Sequence, residues 1–502
     1  MLLADIVSTS NAVAATRSRK AKVAALAECL GAAARNELPV VVAYLAGSLL
    51  QRRTGLGWRS LTTLPSPAAE PSLTVVDVHE AFERMSLLSG SGSQVSRAGE
   101  AEGLFAAASE TEQTWLRGVV TGEVRQGALD SLVQEGLAVA AAVPLAAVRR
   151  AAMLSGSTVV VAGLAFDGEE ALAEVGLVVG RPVMPMLASS AGSVTEAMAK
   201  VGGPAVVDTK LDGIRIQAHR HGDEVVIATR TLDDITARLP EVAEIVRSLP
   251  ASSVVLDGEA MLVGPDGRPR PFQETASRTA TRSEVTDAVM PFFFDVLHLD
   301  GADLLDSPLS ERLAALDTLV PEEHRAPRLT TADPEAAEAF AREALVAGQE
   351  GVVVKGTDLP WEAGRRGSGW IKVKPVHTLD LVVIGVEWGS GRRRGWLSNI
   401  HLGARHPDGG FVMIGKTFKG MTDQMLAWQT ERFTELAVGG TDDWQVVVRP
   451  EQVVEIAFDG VQRSTRYPGG VALRFARVVR YRDDKTAADA DTIQTFRDLL
   501  SP

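Results

Sequence analysis

Apolar positions along the chain change their spacing twice, and each change marks a different kind of structure. From about Arg19 to Gly176 they recur every three or four residues, as in "KVAALAECLGAAA", "VVDVHEAFERMSLL" and "EGLAVAAAVPLAAVRRAAMLSG". That period predicts amphipathic helices. "PSPAAEPS" (65–72) and "SGSGSQVS" (89–96) interrupt it and predict loops. Beyond the Pro-punctuated "GRPVMPMLASS" (180–190), short β-branched runs such as "AVVDT", "EVVIAT", "SVVLDGEAMLV", "MPFFFDVL" and "GVVVK" alternate with helical stretches such as "DPEAAEAFAREALVAG". After Pro375 strand patterns dominate: "DLVVIGVEW", "GFVMIGKT", "WQVVVRPEQVVEIAFDGVQRS" and "ALRFARVVRYR". The expected architecture is multi-domain: an all-α domain over 1–176, an α+β core over 181–374, and a C-terminal β-barrel of the oligonucleotide-binding (OB) type over 375–502.

Length agrees with several cores, because 502 residues exceed what a single hydrophobic core supports. A composition of 45% hydrophobic and 23% charged residues is that of a globular protein. The single cysteine, Cys29, excludes a disulfide framework or a multi-cysteine zinc module and suits a reducing cytoplasm. The first twenty residues lack a basic region followed by an apolar core, so no signal peptide is expected, and no apolar run reaches membrane-spanning length.

A net charge of −13 argues against a nucleic-acid partner only until it is divided along the chain. Residues 1–180 carry 14 Lys+Arg against 18 Asp+Glu, 181–374 carry 21 against 30, and 375–502 carry 16 against 16. Phosphate binding needs only local basic surface. "GSGRRRGW" (389–396) and "RFARVVRYR" (474–482) could supply it, although either alone also reads as a solvated loop or edge strand.

The chemistry concentrates in the middle segment. In "VVDTKLDGIRIQ", Lys210 and Arg215 follow directly on an apolar run. A lysine amine becomes a nucleophile when partial burial and neighbouring cations lower its pKa. Candidate neighbours recur on later strand-like runs: Arg230, Lys355, and Lys372 with Lys374 in "WIKVKP". Residues two apart on a strand share a face, so Lys372 and Lys374 can point into one cavity while Ile371 and Val373 face the core. Inward cations are costly unless an anion neutralises them, and a polyphosphate is a natural counter-charge. Glu259 in "VVLDGEAML" and Glu350 in "GQEGVVVK" could hold a hard divalent cation brought by a nucleotide. Singly, "KLDG", "DGE" and "EGVVVK" are short enough to be structural; their order within one segment points to attack on a phosphate.

With these motifs the chain resembles the ATP-dependent DNA ligases of the covalent nucleotidyltransferase superfamily, in their three-domain form with a helical DNA-binding domain. The resemblance implies an ATP-grasp-like nucleotidyltransferase core. It implies that Lys210 in "KLDGIR" receives AMP and that Arg215 and Arg230 contact the nucleotide. By the same likeness Glu259 binds ribose or metal, Phe294 in "FFFDVLHLDG" stacks on adenine, Glu350 is a metal-associated acid and Lys355 contacts phosphate. Lys372 and Lys374 then handle the α-phosphate, Arg366 is the arginine just upstream, and "RYRDDK", with Arg482 and Lys485, orients the leaving pyrophosphate. Asp208 stands where these ligases usually carry glutamate near adenine, and Ile214 replaces a residue often acidic or polar. The implied reactants are ATP, Mg²⁺ or Mn²⁺, and nicked double-stranded DNA, with a monomeric enzyme that associates with DNA in the cytoplasm.

The implied reaction has three steps: AMP transfer to Lys210, transfer to a 5′-phosphate, and sealing by the 3′-hydroxyl. A "GEVRQG" bend carrying Arg125 could touch backbone phosphate, and a hinge is expected near Lys374–Thr378. An RNA ligase or capping enzyme would use the same lysine but lacks a reason for the long helical leader. An NAD-dependent ligase is opposed by the lone cysteine. A non-catalytic OB module with a degenerate core is opposed by the retained inward cations.

Overall fold

The structure, a computed structural model, describes residues 1–124, 126, 130–264, 270, 272–280, 289–362, 366–390 and 393–500, without the side chains of 279–280 and 366–368. Arg125 and the side chain of Arg366 therefore lie outside the described residues, as do positions 391 and 392 of the "GSGRRRGW" cluster.

The described residues between 3 and 173 form helices and connecting loops around one apolar core that includes Tyr44, Phe82, Phe105 and Trp115. Tyr44 meets Trp115 edge-on, with ring centroids 5.4 Å apart. One expected loop is shorter than its composition suggested. The helix Ser93–Ala107 begins inside "SGSGSQVS", because Gly92, at φ +82°, turns the chain directly into it.

Among the described residues ten strands follow: β1 (Leu187–Ser190), β2 (Ala205–Lys210), β3 (Ile214–His221), β4 (Glu224–Thr229), β5 (Ser253–Leu262), β6 (Val289–Leu299), β7 (Ala302–Asp303), β8 (Arg328–Thr331), β9 (Gly351–Gly356) and β10 (Arg366–Val373). They make two five-stranded sheets, ordered β1-β10-β9-β2-β8 and β4-β3-β5-β6-β7. β1 runs parallel to β10, and the other pairings are antiparallel. The chain passes from β2 in the first sheet to β3 in the second through Leu211–Gly213, so "KLDG" is the crossover between the two sheets. Gly213 permits the crossover. A Cβ there would press into the Ala260 carbonyl of β5.

Alternation along the first sheet separates core from cavity. Val352, Val354 and Ile371 pack with Val207 and Ala337 under the helices Val194–Val201 and Pro334–Val346. Val353, Lys355, Trp370 and Lys372 point to the other side.

Beyond Val373 come β11 (His377–Trp388), β12 (Leu397–Arg405), β13 (Phe411–Thr417), β14 (Gln445–Val447), β15 (Val453–Phe458), β16 (Gly460–Arg463), β17 (Val471–Arg474) and β18 (Arg477–Tyr481). Their main sheet runs β13-β12-β11-β15-β18, with β14 also on β11, and β16-β17 form a separate hairpin. Among the described residues these strands do not close into a barrel. A helix, Asp423–Leu436, lies between β13 and β14 and packs Leu426, Phe433 and Leu436 into the sheet's core.

Candidate functional site

A cavity of about 480 Å³ opens where the two sheets meet, a size that suits a small organic ligand. The first sheet contributes Asp208, Lys210, Lys355, Trp370 and Lys372 to its lining. The second contributes Arg215, Glu259, Phe294 and Thr229 at the end of β4, and the turn after β4 contributes Arg230. Eight of the candidate site residues singled out in the sequence (Asp208, Lys210, Arg215, Arg230, Glu259, Phe294, Lys355 and Lys372) thus meet at one place although up to 164 positions separate them.

Lys210 ends β2, opposite Gly351 of β9, and its amine forms an ion pair with Glu350. The Glu350 carboxylate bridges Lys210 on one oxygen and Lys374 on the other, the latter at 3.0 Å. Burial opposes its charge, but Lys210 and then Lys374 outweigh burial and hold Glu350 below the usual carboxylate range. The contact on the nucleophile candidate is therefore a carboxylate, with the second cation beyond it. Gly351 makes room for this arrangement. At φ +143° it lies so close to the Val373 carbonyl that a Cβ could not be accommodated.

β10 ends at Val373, which divides the paired lysines. Lys372 lines the cavity. Lys374, one residue past the strand, turns to Glu350 and to Asp459 just before β16.

Deeper in, Lys355 and Asp208 form an ion pair buried almost completely. They lie diagonally across adjacent strands, since Asp208 pairs with Val353. The Lys355 amine sits 4.2 Å from the ring centre of Trp370, its direct cross-strand neighbour, and 4.6 Å from that of Phe294. Burial pushes the Asp208 carboxyl above its usual pKa, with Lys355 and then Arg328 offsetting only part of the shift.

On the second sheet Arg215 pairs directly with Glu259 across β3 and β5. Its guanidinium grips Asp257 with two hydrogen bonds, at 3.0 and 2.7 Å, and donates to the Met186 carbonyl at 2.5 Å. Glu259, its register partner, accepts no such pair of hydrogen bonds among the described residues. Burial pushes its carboxyl up to about 8, against the pull of Arg215 and Lys210. With its carboxyl there, Glu259 holds its proton at neutral pH. Phe294 and Trp370 meet edge-on at 5.8 Å.

The structure does not bring "RYRDDK" to this cavity. Arg482 and Lys485 both bind Asp380 of β11, Lys485 at 2.5 Å, and Arg482 also binds Asp484. The hairpin β16-β17 is the C-terminal element that meets the core: Arg474 holds Asp212 of "KLDG" with bonds of 2.7 and 3.2 Å. The basic run 474–482 is neutralised within the molecule, Arg477 by Asp459 and Arg480 by Glu455. Trp370, Asp257, Asp212 and Asp459 were not singled out in the sequence, and Arg474 was so only as the start of the basic run 474–482. Only Trp370 carried a usable signal, because it stands two before Lys372 on one strand face.

Among the described residues no helix is long and apolar enough to cross a membrane. None of them groups three or more His, Cys, Asp or Glu side chains in a way that could hold a metal ion without other ligands.

Three family models match the chain: "ATP dependent DNA ligase domain" over 185–374, "ATP dependent DNA ligase C terminal region" over 393–485, and "DNA ligase N terminus" over 59–138. A probable DNA ligase from Nocardioides sp. is 66% identical, over 100% of this chain and 99% of its own length. One from Kineococcus radiotolerans is 66% identical over 99% of each chain. The solved structure Pmar-Lig_Pre is similar in fold, with a TM-score of 0.63 at 16% identity over 95% of this chain and 99% of that one. On sequence identity sustained over the full length, the chain belongs to the ATP-dependent DNA ligases, enzymes that join DNA at the expense of ATP.

Proposed function

We propose that Lys210 is the amine that takes AMP from ATP, and that the cavity beside it is the nucleotide site. The observation that carries this reading is the position of the Lys210 amine on the wall of a ligand-sized cavity that also holds Arg215, Arg230, Lys355 and Lys372. Phe294 and Trp370 offer the aromatic surface that a base needs; Arg230 and Lys372 offer counter-charge for phosphates, while Arg215 and Lys355 would have to share theirs with Asp257 and Asp208.

In the first step the Lys210 nitrogen attacks the α-phosphorus in line. The ammonium first loses a proton to solvent; a nitrogen–phosphorus bond then forms as the bond to pyrophosphate breaks, and the second proton leaves with the departing pyrophosphate or to water. Glu350 is a weak base, because two lysines hold it below the usual range. Its role is to orient the amine, and it must release Lys210 before the lone pair is available. Lys372 and Arg230 then absorb charge on the phosphate oxygens. Lys374, Arg366, Arg482 and Lys485 are assigned to phosphate or pyrophosphate contact on the resemblance alone, and Arg482 and Lys485 would have to leave Asp380 to act.

The donor set fits a divalent cation delivered with the nucleotide. Glu350 is ionised, Glu259 is available once deprotonated, and two carboxylates plus phosphate oxygens make the oxygen environment that Mg²⁺ or Mn²⁺ takes. Such an ion neutralises charge at the reacting phosphate. AMP then passes to the 5′-phosphate of nicked duplex DNA, and the adjacent 3′-hydroxyl displaces it. The division at 1–176, 181–374 and 375–502, an OB-type last part whose sheet stays open among the described residues, a monomeric state and a cytoplasmic location complete the reading.

Incubation with radiolabelled ATP and Mg²⁺ tests it. An acid-resistant label that Lys210→Ala abolishes, and that passes to nicked DNA and not to nicked RNA, is the expected result. Transfer to RNA ends would favour the RNA ligase reading instead.

A further inference from the structure

The turn that carries Arg230 to the cavity rests on the helical region with its other edge. β4 ends at Thr229, and the chain reverses through Arg230, Thr231, Leu232 and Asp233. Thr229 ties the turn internally: its amide donates to the Asp233 carbonyl at 2.9 Å, its carbonyl accepts from Leu232 at 2.9 Å, and its hydroxyl accepts from the amides of Thr231 and Asp233. Thr229, Arg230 and Thr231 line the cavity, whereas Leu232 and Asp233 are not part of its lining.

Leu232 is one of four described non-glycine residues with positive φ, at +63°. A leucine holds that conformation only where its surroundings over-determine it. Here the surroundings belong to the helical region. A Cβ on Gly156, the left-handed cap of the helix Leu145–Ser155, would lie 3.1 Å from the Leu232 methyl and 2.8 Å from the Pro182 carbonyl, so Leu232 occupies a niche that only glycine leaves open. Beside it Asp233 forms an ion pair with Arg52, from the segment between the helices Leu38–Leu45 and Val75–Leu87. Two contacts separated in sequence by about a hundred residues therefore converge on one five-residue turn.

We propose that Leu232 and Asp233 are positioning residues through which the helical region, by way of Gly156 and Arg52, holds Arg230 at the nucleotide cavity. This rests on the reading of that cavity as the ATP site. It links the part of the enzyme that precedes the core to the first chemical step, before any DNA is sealed. Movement of the helical region away from the core would slacken the turn and weaken the nucleotide contact.

The test uses the full chain and the rate of enzyme adenylylation as a function of ATP concentration. Leu232→Gly accepts the positive φ without strain but empties the niche. Arg52→Glu changes an exposed residue that cannot unfold the core. Each is expected to raise KM for ATP several-fold, about 3- to 10-fold, with kcat within about twofold and the melting temperature unchanged. The charge-reversed pair Arg52→Glu with Asp233→Arg is expected to recover the wild-type KM. An unchanged KM in both single variants overturns the proposal, as does a loss confined to kcat or failure of the reversed pair to recover. If the wild-type enzyme takes no label, or Lys210→Ala still does, the nucleotide-site reading fails instead.

Discussion

The carboxylate of Glu350 holds the amine of Lys210 at the junction of the two core sheets. An ion-paired ammonium is not a nucleophile, so the resting contact has to be exchanged for one with the incoming nucleotide and its cation. Glu350→Gln keeps the shape and removes the charge. It is expected to lower the rate of adenylylation by about 10²- to 10³-fold and to raise the Mg²⁺ concentration needed for half-maximal rate. Rates measured across a Mg²⁺ series check both effects. An unchanged Mg²⁺ dependence would leave Glu350 with orientation alone.

Lys355 and Asp208 are both within a few per cent of complete burial, at 2% and 3% exposure, so each depends on the other for neutralisation. Removing one partner of such a pair costs roughly 3–5 kcal/mol, while replacing both with neutral groups of similar volume is close to neutral. Lys355→Met is therefore expected to lower stability by about that amount, and Asp208→Asn added to it to recover most of the loss. If Lys355 also binds phosphate, the double variant remains slow to adenylylate. Denaturant unfolding and single-turnover labelling separate the two contributions.

Glu259 links stability to pH with a definite sign. Its folded pKa, pushed up to about 8 by burial, lies above its ordinary value of 4.5. Between those values the folded state retains a proton that the unfolded state has released, so stability falls as pH rises through this window. Glu259→Gln should flatten that slope and melt higher than wild type at pH 8.5, while slowing adenylylation. Binding of the nucleotide with its cation should release a proton near pH 7. Calorimetry in buffers of different ionisation enthalpy measures the release.

The hairpin β16-β17 reaches the nucleotide lysine's own motif through Arg474 and Asp212. Both are about a quarter to a third exposed, so the pair contributes modestly to stability, on the order of 1 kcal/mol. Its larger effect is on docking. Residues 374–376 between β10 and β11 have no regular structure and Val376 is half exposed, so a protease can report on the hinge expected near Lys374–Thr378. Arg474→Ala is expected to speed cleavage there several-fold, about 3-fold or more, without a comparable change in melting temperature. Equal cleavage rates would show that the pair does not hold the hairpin down.

What the sequence discloses and what it conceals follow from the range of the interactions. Alternation in "GVVVK" and "WIKVKP" already places Val352, Val354 and Ile371 on one face and Lys355 and Lys372 on the other, because strand geometry is local. The same rule fails one residue later, at Lys374, because the strand ends at Val373 and the side chain follows Glu350 and Asp459. The Arg474–Asp212 pair spans 262 positions and cannot be read from either motif. The helix Asp423–Leu436 is different. Leu426, Gln429, Phe433 and Leu436 recur at helical spacing behind the capping Thr422, so its signal is present in a segment dominated by strand patterns. Arg482 and Lys485 show a further limit, since a motif discloses a chemical role but not the conformation in which it is exercised.

The central claim is that one amine accepts the nucleotide. Mass spectrometry of the intact chain after exposure to ATP and Mg²⁺, followed by peptide mapping, tests it most directly. The account expects one AMP per chain, on Lys210, lost on addition of pyrophosphate or nicked DNA; an adduct on another residue, or none under conditions where nicks are sealed, would contradict it.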